Sequence, residues 1–296
     1  MSIRIGTRGS KLALAQTATV CKMVSALGFS AEQVIISTQG DTTMGVPLHE
    51  IGGQGVFVRA LDDAILAGKI DCAVHSMKDI PAFRPGGLFT AAVLKRDSAA
   101  DYLAYRGSLN AVNVIGTSST RRRAQLLRHD PEITIKDLRG NVDTRIRKMS
   151  AGEFDAIVLA EAGLARLGIR IRGDRLPPEK FVPAPNQGTI AVVSRADPSL
   201  MEELSALDHP QTRTDVAIER TVMEQLGGGC YTPQGIYCRA GHLIAEVLSL
   251  DGKRAERIEK DIQTIEQARE QGKQLHARAQ DLIDDAYRKL GIRNER

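Results

Sequence analysis

The sequence predicts an α/β protein of two lobes followed by a small α+β domain, and three observations carry that expectation. Two series of alternating strand and helix, at residues 1–95 and 98–184, read as two mainly parallel sheets. Proline-punctuated chain at Leu176-Pro177-Pro178 and Val182-Pro183-Ala184-Pro185 then leads into one more strand, which reads as a return to the first lobe over 189–207. From residue 210 to 296 the pattern changes to a helix, short antiparallel strands and a long amphipathic helix. Two lobes joined by two crossings leave a cleft, a favoured place for a ligand.

The first lobe opens with Ile3-Arg4-Ile5-Gly6-Thr7-Arg8 as a strand, then Gly9-Ser10 and an apolar-periodic helix over 11–27. Ser10 is a natural N-cap, so Arg8 and Ser10 lie at a helix mouth that either binds an anion or is simply capped. Val34-Ile35-Ile36-Ser37 is the next strand. The polar, glycine-rich loop from Gln39 to Gly55 is long enough to be a lid or binding segment. A helix over 57–67 precedes the stretch Ala73-Val74-His75-Ser76-Met77-Lys78-Asp79-Ile80-Pro81. Its first half is a buried strand that Pro81 stops near Asp79, since proline cannot donate to a ladder. A His, a Ser, a Lys and an Asp thus gather at the carboxyl end of a strand, where open α/β sheets bind ligands. Asp79 as a mere cap of the following turn is the plain alternative. Residues 90–94 form a further strand before the polar crossover Lys95-Arg96-Asp97-Ser98.

The second lobe begins with Val114-Ile115-Gly116-Thr117-Ser118-Ser119-Thr120, a strand running into a hydroxyl-rich turn and a helix that opens on Arg121-Arg122. Free amides at that helix start, with Ser118, Ser119 and two arginines, read as an anion cradle. Ile133-Thr134-Ile135 precedes Leu138-Arg139-Gly140-Asn141, which turns into a helix carrying Arg145. The buried strand at 155–160 leads to a helix carrying Arg166, and Gln187-Gly188 closes the return segment. In the last third, Gly227-Gly228-Gly229 ends a helix over 213–226 and is followed at once by Cys230. Strands are expected at 236–238, 242–250 and 258–262, with Gly252 marking a hairpin, and the final helix at 264–290.

Composition narrows the function. With 42% hydrophobic residues over 296, the chain can build more than one packed core. No apolar run approaches the ~20 residues of a membrane span, and no signal-peptide core follows Met1, so a cytoplasmic protein with its four cysteines reduced is expected. Arginines crowd the middle third, but aromatics are 4% and tryptophan is absent, which argues against stacking on nucleic acid. Single arginines at strand ends suit a small ligand with several carboxylates or phosphates. Cys230 on a glycine loop is poorly placed for a core. A reactive or modified thiol is the better reading, and zinc with Cys238 a weaker one, because no second cysteine pair lies nearby. Cys72 and His75 lie within a strand and read as core, so no metal site is expected.

These motifs together resemble the porphobilinogen deaminase (hydroxymethylbilane synthase) family. The carriers are Gly6-Thr7-Arg8-Gly9-Ser10, Val74 to Asp79, Gly116 to Arg122, Leu138 to Val142, Gln187-Gly188 and Gly228-Gly229-Cys230, in family order along nearly the whole chain. The resemblance implies two periplasmic-binding-protein-like (type II) lobes with a double crossover plus a small α+β C-terminal domain. It implies a transferase that joins four porphobilinogen molecules head to tail with loss of ammonia. It further implies a dipyrromethane cofactor held through a thioether to Cys230, and a monomer whose linear product passes to uroporphyrinogen III synthase.

Carried over position by position, the resemblance makes Asp79 and Lys78 catalytic. It makes Arg121, Arg122, Ser119 and Arg139, again with Lys78 and Asp79, ligands of the cofactor. Arg8, Ser10, Gln16, Ser118, Arg139, Arg145, Arg166 and Gln187 would bind substrate. The chain departs from the familiar bacterial pattern at Gln39, Glu50 and Gln54, where cations are expected, and in the aromatic Tyr231 after the cysteine; the loop resembles an archaeal-type variant. The alternative function is a non-catalytic two-lobed anion-binding or sensor protein, which would have no use for a cysteine-tethered primer.

Overall fold

Strands with continuous buried runs build the first lobe. In the computed structural model, which describes residues 2–37, 56–81, 84, 86–227 and 229–292, β1 (Ser2–Thr7) is followed by α1 (Lys11–Ala26) and β2 (Ser30–Ile35). Helix α2 (Val56–Leu66), β3 (Cys72–Ser76) and β4 (Leu88–Val93) complete the first series. Strands β1, β2 and β3 are parallel. β3 is buried through its first four residues, as a strand covered on both faces must be. Ile3, Ile5, Val20, Val24, Val74 and Leu204 form the core on one side, each worth about 1.5–3 kcal/mol when fully buried.

The second lobe follows the same plan with one change of order. It comprises β5 (Asp101–Tyr105), β6 (Val114–Gly116), α3 (Thr120–His129), β7 (Thr134–Lys136), α4 (Val142–Ser150), β8 (Ala156–Ala160), α5 (Glu161–Arg166) and β9 (Gly173–Leu176). Along β8, Ile157 and Leu159 face a cluster with Leu138 and Phe154, while Ala156 and Val158 face Leu103, Ile115 and Phe181. Both faces of this sheet are therefore covered.

The strand after it, β10 (Ile190–Arg195), belongs to the first sheet, whose order is β2-β1-β3-β10-β4. The second sheet has the order β7-β6-β8-β5-β9. In each sheet three parallel strands are followed by one antiparallel neighbour, β10 in the first and β5 in the second. Those two strands are the ones the chain enters just after leaving the other lobe, which is the double crossover of the type II arrangement. Two compact units result, residues Met1–Asp97 with Gly188–Arg213, and Ser98–Gln187 with Thr214–Arg296. Helix α6 (Pro198–Ser205) packs in the first.

Residues 214–296 share their unit with the second lobe. Helix α7 (Pro210–Leu226) is followed by β11 (Gln234–Arg239), β12 (His242–Leu248), β13 (Ala255–Asp261) and α8 (Ile265–Leu290). Thr264 caps α8, its side chain accepting from the Gln267 amide while the Gln267 side chain accepts from the Thr264 amide. On β12, Leu243, Ala245 and Val247 meet the two helices. Ile244 points the other way, into a cluster with Ala99 and Val182 of the second lobe. β11 and β12 are buried on both faces although the sheet is antiparallel, because one face is occupied by its neighbour, while β13 at the edge buries only Ile258. Among the described residues no helix is long and apolar enough to cross a membrane.

Two strands lie outside the sequence reading. β5 follows a polar run and spans five residues, too few for a clear alternation, and β9 is Gly-Asp-Arg-Leu at a sheet edge. Both exist because they pair, β9 on β5 and β5 on β8.

Candidate active site

In the first lobe, Arg8, Ser10, Gln16, His75, Ser76 and Asp79 line one pocket at the carboxyl ends of β1 and β3. Ser10 does cap α1, its hydroxyl accepting from the Ala13 amide at 3.3 Å. Gln16 is buried and donates from Nε2 to Ser76 Oγ at 2.8 Å, which ties the helix to the end of β3. There the chain makes one 3-10 turn, Met77–Asp79, whose closing amide, that of Ile80, goes to the Met77 carbonyl. Lys78 and Asp79 are left exposed on that turn. The Asp79 carboxylate makes no hydrogen bond or ion pair among the described residues, so it caps no backbone group there.

His75 lies just inside. Its Nε2 is buried without a hydrogen-bond partner among the described residues. Burial first, and then the positive charges of Arg84 and Arg8, push its pKa down to about 3. The imidazole is neutral at any physiological pH.

The second lobe centres on an acid that sequence reading missed. Asp101, at the start of β5, is fully buried. Arg122 donates to its Oδ1 from Nη2 at 2.6 Å and from Nε at 3.2 Å, and Arg121 Nη1 lies 2.8 Å from Oδ2. Gln187 Nε2 also donates to Oδ1, at 3.0 Å, and to the Ala99 carbonyl. Burial opposes ionisation of Asp101, but the charges and hydrogen bonds of the two arginines outweigh it and hold the carboxyl well below the usual range. Arg121 and Arg122 are thus turned inward from the first turn of α3, where the sequence reading has them flanking an open cradle. The helical period is the cause: 121, 122 and 125 share the buried face. Two guanidiniums against one carboxylate leave the cluster with one net positive charge.

Around that cluster stand the remaining predicted residues. Ser119 caps α3, accepting from the Arg122 amide. The Ser118 hydroxyl donates to the Leu138 carbonyl and accepts from the Leu138 amide, which fixes the turn bearing Arg139. Arg139 is exposed, and Arg166 is half-buried in the last turn of α5. Arg145 donates from Nε to the Gly140 carbonyl at 2.7 Å and has no carboxylate partner among the described residues. Desolvation first, then the charge of Arg122, pull its pKa to about 10, so it stays cationic at neutral pH. The Cys230 backbone forms a 3-10 turn, Gly229–Tyr231, directly after α7, and Tyr231 packs edge-on against Tyr287 of α8 with ring centroids 6.1 Å apart. The Cys230 side chain and residues Gln39, Glu50 and Gln54 lie outside the described residues. Among the described residues no three His, Cys, Asp or Glu side chains group as metal ligands.

A net-positive buried cluster, an uncompensated Arg145 and the amides of the α3 start suit a ligand bearing several carboxylates. Fold and residues together define a two-lobed α/β protein with a cysteine-bearing C-terminal domain.

Residues 3–203 match the family model for the porphobilinogen deaminase dipyrromethane cofactor-binding domain, and residues 214–281 match the model for the C-terminal domain of the same enzyme. A "Probable porphobilinogen deaminase" of Methanosarcina acetivorans is 50% identical, covering 92% of this chain and 90% of that protein. A "Porphobilinogen deaminase" of Geobacillus kaustophilus is 46% identical over 85% of this chain and 86% of its own length. Among solved structures, the VFT2 domain of Bordetella pertussis BvgS is 14% identical, with a TM-score of 0.43 over 74% of this chain and 92% of that one. The chain belongs to the porphobilinogen deaminase family.

Two outcomes follow from the buried groups. Unfolded His75 titrates near its ordinary value of about 6.5, whereas the folded form stays neutral down to about 3. The unfolded chain therefore holds the extra proton in that window, and stability falls as pH drops through it, by up to roughly 1.4 kcal/mol per pH unit. Urea unfolding of wild type and His75→Leu from pH 7 to pH 4 (an acid range of about three units) should show a shallower loss in the variant. Asp101→Asn leaves Arg121 and Arg122 buried without a counter-charge and should cost about 3–5 kcal/mol in the same assay.

Proposed function

We infer that this chain is a hydroxymethylbilane synthase, a transferase that condenses four porphobilinogen molecules head to tail with loss of ammonia and releases the linear tetrapyrrole. The observation that supports it best is Asp79, a carboxylate without a partner among the described residues, at a strand end beside Arg8 and Ser10. It is joined by the family match over both parts of the chain.

Loss of ammonia from porphobilinogen leaves an electron-poor methylene-pyrrole, and the barrier falls where a fixed negative charge faces it. Asp79 is the group for that task. It accepts from pyrrole N–H groups and balances the growing positive charge, and it can hold or pass a proton. Lys78 on the same turn offers a cation to a neighbouring acetate or propionate. Arg8, Ser10 and Gln16 bind substrate on the first lobe, and Ser118, Arg139, Arg145, Arg166 and Gln187 on the second. Dipyrromethane, when bound, supplies the primer whose terminal pyrrole carbon is the nucleophile. Cys230 would hold it by a thioether, with Arg121, Arg122, Ser119 and Arg139 facing its carboxylates. Arg122 spends three of its five N–H donors on Asp101 and the Val158 carbonyl, so donors remain for a ligand.

The same reading makes 1–95 with 189–207, 98–184 and 210–296 the three working domains. It also implies a cytoplasmic monomer that hands its product to uroporphyrinogen III synthase, because an unclosed tetrapyrrole is chemically labile.

Intact-protein mass spectrometry of wild type beside Cys230→Ser tests the reading. A mass excess of two linked pyrrole units on wild type, absent from the variant, is expected. A wild type that still carries nothing after incubation with porphobilinogen would turn the assignment to the non-catalytic anion binder. Asp79→Asn should retain the cofactor mass yet lose about a hundredfold or more in turnover, the usual scale for removing one electrostatic stabiliser.

A further inference from the structure

We propose that the third domain sets the position of α3, with Gly252, Gly235 and Glu246 as positioning residues for the cations at that helix's start. The proposal rests on the reading above that those cations hold carboxylates.

Three close approaches carry it. The hairpin turn between β12 and β13 sets Gly252 against the body of α3. A Cβ added there would lie 2.2 Å from the Ala124 carbonyl oxygen and 2.8 Å from the Arg128 nitrogen, and the residue has φ of +73°. Both obstacles are backbone, so a side chain at 252 moves either the hairpin or the helix. Gly235 on β11 repeats this against the segment that α3 leans on. A Cβ there would lie 2.7 Å from the Val182 carbonyl oxygen, and the next residue, Ile236, donates its amide to the Pro183 carbonyl. The Val182 carbonyl is the shared acceptor of Arg121 Nη1 at 2.8 Å and Gln125 Nε2 at 2.9 Å. The third approach is ionic. Glu246, fully buried on the face of β12 opposite its helices, pairs with Arg128 at 3.0 Å in the last turn of α3 and with Arg257 at 3.5 Å.

Helix α3 is thus held at its far end by Glu246, in its middle by Gly252, and at Arg121 through Val182. All three holds come directly or indirectly from residues 214–296. A rigid helix transmits a shift at Arg128 to Ser119 and Arg122, and a binding group misplaced by an ångström can cost up to about a hundredfold.

The test uses full-length apo-protein and follows, by intact mass, the rate at which it gains cofactor mass from porphobilinogen. Four variants are compared well below their unfolding temperatures: Gly252→Ala, Arg128→Ala, Arg121→Gln and Gly291→Ala. Gly291 ends α8 with φ of +68° and open space around it, so its variant lowers stability without touching any of the three holds on α3. The proposal expects Gly252→Ala and Arg128→Ala to load about tenfold more slowly while folded, with Arg121→Gln at least as slow and Gly291→Ala near wild type. Should Gly252→Ala fail to fold, Arg128→Ala decides. Folded Gly252→Ala and Arg128→Ala loading within about twofold of wild type, beside a slow Arg121→Gln, would overturn the positioning role and leave the carboxylate reading standing. A wild-type rate in Arg121→Gln would overturn that reading and the inference with it. Slowing of Gly291→Ala to the same degree would assign the effect to stability alone and overturn the proposal.

Discussion

A single buried carboxylate, Asp101, holds the second lobe's cations in register. It receives Arg121, Arg122 and Gln187, which come from two separate stretches of chain, and none of these four side chains reaches bulk water to any extent. Bringing one acid and two bases out of water costs several kcal/mol per ion unless geometry and hydrogen bonds return it. Here one further donor of each arginine finds a carbonyl, Val158 for Arg122 and Val182 for Arg121. The cluster is held tightly and keeps one surplus positive charge, a condition that a polyanionic ligand can satisfy and solvent cannot.

The first lobe uses the opposite device. Asp79 stands at a strand end on a single 3-10 turn, exposed and without a partner among the described residues, beside a neutral buried imidazole. Gln16 and Ser76 fix the turn from behind through side-chain hydrogen bonds across 60 residues. A negative charge left free on a rigid base is suited to a developing cation. A positive cluster already balanced in part is suited to carboxylates. The two lobes of this porphobilinogen deaminase family member therefore differ in how they hold charge, with an exposed carboxylate beside Arg8 in one and a buried arginine–carboxylate cluster in the other, although their sheets share one plan.

Much of this was legible in the chain. Strand ends carrying Arg8, Asp79 and Ser118 announce themselves through apolar runs that stop at small or polar residues, because burial on both faces leaves little room for anything else. Ser10, Ser119 and Thr264 were visible as caps for the same local reason, a hydroxyl ahead of an apolar period. Asp101 was not. Its role is set by residues 20 and 86 positions away, and a lone Asp opening a five-residue strand carries no local mark of that. The inward turn of Arg121 and Arg122 was hidden likewise, since a helix start exposes or buries a side chain according to what lies across from it. The third domain's grip on α3 is a matter of two glycines and a buried Glu246, none of which belongs to a functional motif.

The returning strand has a consequence for how the protein is made. β10 lies between β3 and β4, pairing Ser194 with Cys72 on one side and Phe89 on the other. When residues 2–93 have left the ribosome, those two strands have no neighbour to join them, and none arrives until the whole second lobe has followed. For that interval the nascent first lobe presents two open sheet edges, one of them the fully buried β3, to whatever else is in solution. Completion of the sheet that bears Asp79 is thus timed by synthesis of the lobe that bears Arg121. Native pairing across so long a separation also makes this the slow, non-local step of folding.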